Sequence, residues 1–221
     1  MSENNKMEKE ISELYRLFKK YKLAPDFASR CSPYSKRGEV AKYLEEQSLH
    51  YIEREMIDYY CFKAIYTMGD EQDLKYFLPR LIELYVTDGV SYGDILFKKF
   101  KMSGFEQWET VEQKLIYKIC EQYFILRLEN GPCDGTLTTV LDDYMELFDL
   151  EPFYETWFNS DKESALDHFL MEAPYQCITK EFYWKYLEKI ENMYLEMSDS
   201  NLKKKLDEFL DQHEKYLKYL Y

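Results

Sequence analysis

Three histidines, five cysteines and one dense run of carboxylates are the residues whose types and spacing could support chemistry in this chain. His50, His168 and His213 form no His-Glu-x-x-His pair, and none stands in a Glu-x-x-His pair of the di-iron type. Glu46 and His50 are four residues apart and could share a divalent metal; the plainer reading is a helix-surface pair. Cys31, Cys61, Cys120, Cys133 and Cys177 are odd in number, and no two are closer than 13 residues. That pattern fits neither a zinc site nor a disulfide framework, and it points to a reduced, cytoplasmic protein with Cys61 and Cys120 as small core residues. No Gly-x-x-x-x-Gly-Lys loop, Gly-x-Gly-x-x-Gly turn or Gly-x-Ser-x-Gly elbow occurs. The common nucleotide-site and hydrolase motifs are therefore missing, and no cofactor is implied.

The carboxylates are the one constellation with a distinct pattern. The net charge is −13. Residues 1–104 carry 17 basic and 17 acidic side chains, and residues 105–172 carry 4 and 16. Leu128 to Asp161 holds nine carboxylates and no Lys or Arg. With a helix running from Thr136 to Phe148, Val140, Leu141, Tyr144, Met145 and Phe148 fall on one side, and Asp142, Asp143, Glu146 and Asp149 on the other. Like charges at that spacing repel by a few tenths of a kcal/mol per pair. The next segment places Phe153, Tyr154, Trp157 and Phe158 beside Glu151 and Glu155. Carboxylates bordered by aromatic rings suit a surface rich in Arg and Lys, through charge-assisted hydrogen bonds and cation–π contacts. Two plainer readings compete: a solvated face that keeps the protein soluble, and an aromatic segment that is mostly core.

The elements that must position these residues read as helices. Hydrophobic residues make up 46% of the chain and aromatic residues 18%, enough for a core, and only seven glycines and six prolines punctuate it. No segment holds a sustained period of two. Helices are expected over Lys6–Tyr21, Ser35–Glu46, Leu49–Met68, Asp70–Tyr85, Asp94–Phe100, Glu109–Leu128, Thr136–Phe148, a short stretch from Glu151, Asp161–Met171, Lys180–Met197 and Asn201–Tyr221. Gly69 is expected to take a positive φ, Asp70 to cap the next helix with Asp73 three residues on, and Thr179 and Ser198 or Ser200 to cap the last two. Leu74, Phe77, Leu78, Leu81, Ile82 and Tyr85 form one stripe, bent at Pro79. In the Glu109–Leu128 helix, Val111, Leu115, Ile119, Tyr123 and Leu126 should face inward, and Glu112 and Gln113 outward. The fold class expected is all-α, about ten helices as antiparallel pairs in a compact or gently curved array, in a single domain spanning 1–221. No run of about 18 apolar residues suggests a spanning helix, and no leader pattern is visible at the start.

Pro79 followed by Leu81-x-x-Leu84 resembles the first helix of a HEAT-type repeat. Three longer stretches resemble a group of uncharacterised all-helical bacterial proteins: Tyr59 to Asp70, Asp73 to Tyr85 with its Phe-Leu-Pro-Arg-Leu core, and Phe105-Glu106-Gln107-Trp108-Glu109 leading to Glu112. The likeness covers roughly Ser29 to Leu128. Members often carry Cys-x-x-Cys near the front; here the matching place reads Cys31-Ser32-Pro33-Tyr34, so no metal or redox role carries over. The resemblance implies a helical fold and no activity.

The functional expectation is a non-enzymatic interaction protein that binds a basic protein partner, an immunity-type antitoxin being the concrete form, with Asp142, Asp143, Glu146, Asp149 and Trp157 as contacts. The acidic field disfavours nucleic acid and anionic membrane. The alternative is a helical enzyme that acts on a small molecule with a carboxylate-bound metal, Asp142 and Glu146 being the nearest to a donor pair.

Overall fold

The computed structural model describes residues 3–31, 35–88, 93–132, 136–160, 163–172, 182, 184–189, 192, 204–209 and 211. The protein is all-α. Its helices are α1 (Glu3–Phe18), α2 (Lys36–Glu46), α3 (Arg54–Lys63), α4 (Glu71–Asp88), α5 (Gly93–Met102), α6 (Thr110–Asn130), α7 (Leu137–Tyr144), α8 (Glu151–Asn159) and α9 (Glu163–Glu172), with single 3-10 turns at Leu49–Tyr51 and Phe105–Gln107. Among the described residues the only β-type pairing is an isolated bridge between Ala64 and Met68. Segments 184–189 and 204–209 are helical and lie within the two C-terminal helices expected from sequence. The caps expected at Thr179 and at Ser198 or Ser200, together with Cys133, Cys177 and His213, lie outside the described residues.

The chain divides into two compact units, where the sequence reading placed one domain. The first comprises Met1–Phe124 and Asp142–Asp149, and the second Ile125–Leu141 and Leu150–Tyr221. Helices α6 and α7 each contribute residues to both.

In the first unit α1 packs on α4, and α3 packs on α2, α4 and α5. The α4 stripe is the centre of the core: Leu74, Phe77, Leu78, Leu81, Ile82 and Tyr85 are all buried. The helix continues through Pro79. Its start is a reciprocal capping box. Asp70 Oδ1 accepts from the Asp73 backbone N–H at 3.2 Å, and Asp73 Oδ2 accepts from the Asp70 N–H at 3.0 Å. Gly69 has φ +75°, and a β-carbon there would lie 2.8 Å from Asp73, so only glycine fits.

One expected helix is broken where its periodicity runs on. Leu49–Met68 is split, because Arg80 of α4 donates through Nε and Nη2 to the Ile52 carbonyl at 3.1 and 3.0 Å. That carbonyl is then unavailable to a continuing helix. Ile65 sits at φ +66°, which for a β-branched residue ends the helix at a strained turn. The break also separates Glu46 from His50: Glu46 faces Lys42 at 3.9 Å, and His50 stacks on Tyr15 with ring centroids 3.9 Å apart. The expected helix-surface pair is absent.

The second unit is organised around Trp157 and His168. The Trp157 indole N–H donates to the Ala165 carbonyl at 2.9 Å, and its ring packs against Phe182 and Tyr186. Glu172, buried on α9, accepts from the N–H groups of Leu137 and Thr138 at 2.8 Å each and so caps the start of α7. His168 Nδ1 lies 3.0 Å from Glu172 Oε1, and Nε2 lies 3.1 Å from the Arg127 carbonyl oxygen. A carbonyl only accepts, so Nε2 carries a hydrogen. His168 thus ties Glu172 to the end of α6 through its two ring nitrogens. Gly131, at φ +77° just after α6, stops that helix.

Candidate functional site

The acidic block is split by the fold rather than gathered on one face. Helix α7 ends at Tyr144, so Glu146 and Asp149 lie beyond it and the helical phasing that aligned them with Asp142 does not extend that far. Val140, Leu141 and Tyr144 are buried as expected, but Met145 is 61% exposed. Asp142 is exposed and makes no ion pair among the described residues. Asp149 is exposed as well. Glu146 is engaged by Lys101 Nζ at 2.7 Å, a hydrogen bond that holds its carboxyl below the usual range.

Two of the five expected contacts are corrected. Trp157 is fully buried in the second unit and cannot touch a partner in this conformation. Its ring fills the core because its one polar atom finds the Ala165 carbonyl. Asp143 is also buried. It follows Val140 by three residues, which puts it at the margin of the apolar stripe rather than opposite it.

Asp143 is the least ordinary carboxylate among the described residues. Its Oδ2 accepts from the Tyr85 hydroxyl at 2.8 Å. It lies so close to the start of α5 that a β-carbon at Gly93 would fall 2.0 Å from Oδ2. Burial pushes its pKa up to about 7, with the negative charges of Asp94 and Asp142 adding to the rise; Tyr85 and the Asp94 backbone N–H oppose it. A buried acid near neutrality is the kind of group active sites use. Here its neighbours are a tyrosine, itself held protonated by burial, and a helix start, so it is a fold element with a titratable proton.

A second charged centre was missed. Glu112, expected outward, is fully buried, while Val111, expected inward, is 51% exposed. Tyr21 donates its hydroxyl to Glu112 Oε1 at 2.6 Å, and Lys20 Nζ lies 2.8 Å from the same oxygen. Lys75 Nζ stands 3.8 Å from Oε2 and 4.4 Å from the Trp108 ring centroid. Desolvation acts to lower the Lys20 ammonium, and hydrogen bonds to Glu109 and Glu112 overcome it. Lys20 and Tyr21 are some ninety residues distant from Glu112 and Lys75 nearly forty, so phasing could not reveal them. The Trp108-x-x-x-Glu112 spacing was the available signal. The cluster is closed and internally neutralised, which suits it to holding α1 and α4 on α6 rather than to turnover.

Lys99 is the third anomaly. It is 2% exposed, its Nζ donates to no acceptor among the described residues, and it lies 3.5 Å from the Tyr66 ring centroid. Burial lowers its pKa. Tyr66 follows the strained Ile65, so the turn serves to lay that ring over the ammonium.

Among the described residues no three His, Cys, Asp or Glu side chains are placed to hold a metal ion, so the metal-enzyme alternative finds no donor set there. Cys31, Cys61 and Cys120 are free buried thiols, and burial raises all three. Among the described residues no helix is long and apolar enough to cross a membrane. No family model, no curated protein and no solved structure matches the chain.

Proposed function

We propose that the protein is a non-enzymatic interaction module that engages a basic protein partner through Asp142 and Asp149, with an immunity-type antitoxin as the concrete form. The supporting observation is that both carboxylates are exposed on either side of Met145, itself 61% exposed, in a segment of chain that has no Lys or Arg. A flexible apolar side chain rimmed by carboxylates offers packing area and steering charge together. Glu146 contributes by exchanging Lys101 for a partner's cation. Asp143, buried beneath this segment, does not touch the partner. Free thiols suit a reducing compartment, and we place the protein in the cytoplasm on that ground.

The test uses the product of the neighbouring gene. A complex should form at low salt and weaken as salt rises. The pair Asp142→Lys and Asp149→Lys should weaken it by roughly tenfold or more, as expected for lost charge complementarity. A complex indifferent both to salt and to this charge reversal contradicts the reading.

A further inference from the structure

We infer a small-molecule site on the first unit, in a groove of about 430 Å³ between α1, the 3-10 turn Leu49–Tyr51 and α4, shaped for an organic anion that carries one flat ring and one phosphate. The volume falls in the range of ligand pockets, roughly 300–1,000 Å³, and is too small for a protein partner.

The chemistry of the lining selects the ligand. Lys19 and Lys22 border the groove, are exposed and make no ion pair among the described residues. The carboxylates around it are already committed. Glu13 faces Arg16 at 3.3 Å, and Glu83 takes the Tyr15 hydroxyl at 2.6 Å and Arg80 at 2.8 Å. Glu112 takes Tyr21 and Lys20. The groove is therefore locally cationic on a chain of net charge −13. A field of that sign on such a protein attracts small anions that the rest of the surface repels.

The tyrosines supply the walls. Hydrogen bonds from the hydroxyls of Tyr15 and Tyr21 to buried or half-buried carboxylates fix both rings. The His50 ring lies against Tyr15 at 3.9 Å with 22° between planes, an aromatic stack that a ligand ring can extend. Tyr76 differs from the other two: its hydroxyl has no hydrogen-bond partner among the described residues, and it lines the same groove. Pro79, one turn further along α4, adds an apolar surface. Fixed rings, one uncommitted hydroxyl and two uncommitted ammonium groups form a receptor for a ring-bearing phosphate, of the nucleoside monophosphate class.

Isothermal titration of the full chain with adenosine monophosphate, adenosine and inorganic phosphate tests this. Adenosine monophosphate should bind, and more tightly than either fragment. Lys19→Ala with Lys22→Ala should weaken it about tenfold, the scale of lost charge-assisted bonds, and Tyr76→Phe should weaken it a few-fold. Thermal melts confirm that these exposed-site variants stay folded. Asp142→Lys with Asp149→Lys should leave it unchanged, which separates this site from the acidic face. No binding of the nucleotide, or binding that ignores the lysine pair, overturns the inference; phosphate binding as tightly as the nucleotide overturns the ring subsite.

Discussion

Asp73 and Asp143 are both buried aspartates beside a helix start, and they are held in opposite ways. Asp73 accepts the backbone N–H groups of Ala24 and Asp70 and, at 2.5 Å, the Arg30 guanidinium. Asp143 has one side-chain donor, Tyr85, and a crowded approach to α5 with acids nearby. Burial costs a carboxylate the same solvation in either place. What differs is the number and charge of the donors: a guanidinium and two backbone N–H groups at Asp73, a single hydroxyl with acids nearby at Asp143, whose carboxyl burial pushes up to about 7. An acid-rich segment is thus not one property. Neighbouring Asp142 and Asp143 belong to solvent and to the core.

The largest effect should come from removing the well-held member. Asp73→Ala leaves the backbone N–H groups of Ala24 and Asp70 without their acceptor, while Arg30 keeps Asp70 and Asp26, and should cost about 4 kcal/mol in urea unfolding, at roughly 1–3 kcal/mol for each stranded donor. A loss near zero would mean that the capping box is incidental.

Asp143→Asn should act with the opposite sign and only at some pH values. The folded pKa of about 7 lies above the unfolded value of about 3.9, so the folded state keeps a proton the unfolded state has lost. The stability Asp143 contributes is present in full below pH about 4 and is lost as pH rises to about 7. Asn keeps an acceptor for Tyr85 without the charge. The variant should match the wild type near pH 4 and exceed it by roughly 3 kcal/mol above pH 8. A constant offset across that range would show that no proton is linked to folding at this site.

Lys99→Met gives a smaller, cationic version of the same contrast. It removes a buried ammonium that makes no hydrogen bond among the described residues and lies over the Tyr66 ring, and it should stabilise by about 1 kcal/mol at neutral pH. Because burial lowers the Lys99 pKa, the advantage should shrink at high pH as the wild-type amine loses its proton. Destabilisation by Met would show that the cation–π contact outweighs the lost solvation.

Sequence periodicity made α4 legible because its stripe, its capping box and its glycine are all local. The same reading failed where a partner from far along the chain intervened. Arg80 took the Ile52 carbonyl and broke a helix whose apolar spacing looked continuous. Lys20 and Tyr21 drew Glu112 inward against its polar character. At α7 the helical phasing placed Val140, Leu141, Asp142 and Tyr144 correctly, missed Asp143, and was then applied to residues that are not helical. Asp143 was misplaced because a marginal position can bury an aspartate only where a donor and a glycine meet it, and Tyr85 and Gly93 lie about fifty residues away. The acidic block was visible from composition; which of its members face out was decided by tertiary contacts.

The most direct test of that partition is the affinity of the neighbouring gene product for two variants side by side, measured across salt concentration. Asp142→Lys with Asp149→Lys should weaken binding by roughly tenfold at low salt and converge with the wild type at high salt. Asp143→Asn should bind as the wild type does. Weakening by Asp143→Asn, with no effect of the charge reversal, would contradict the account.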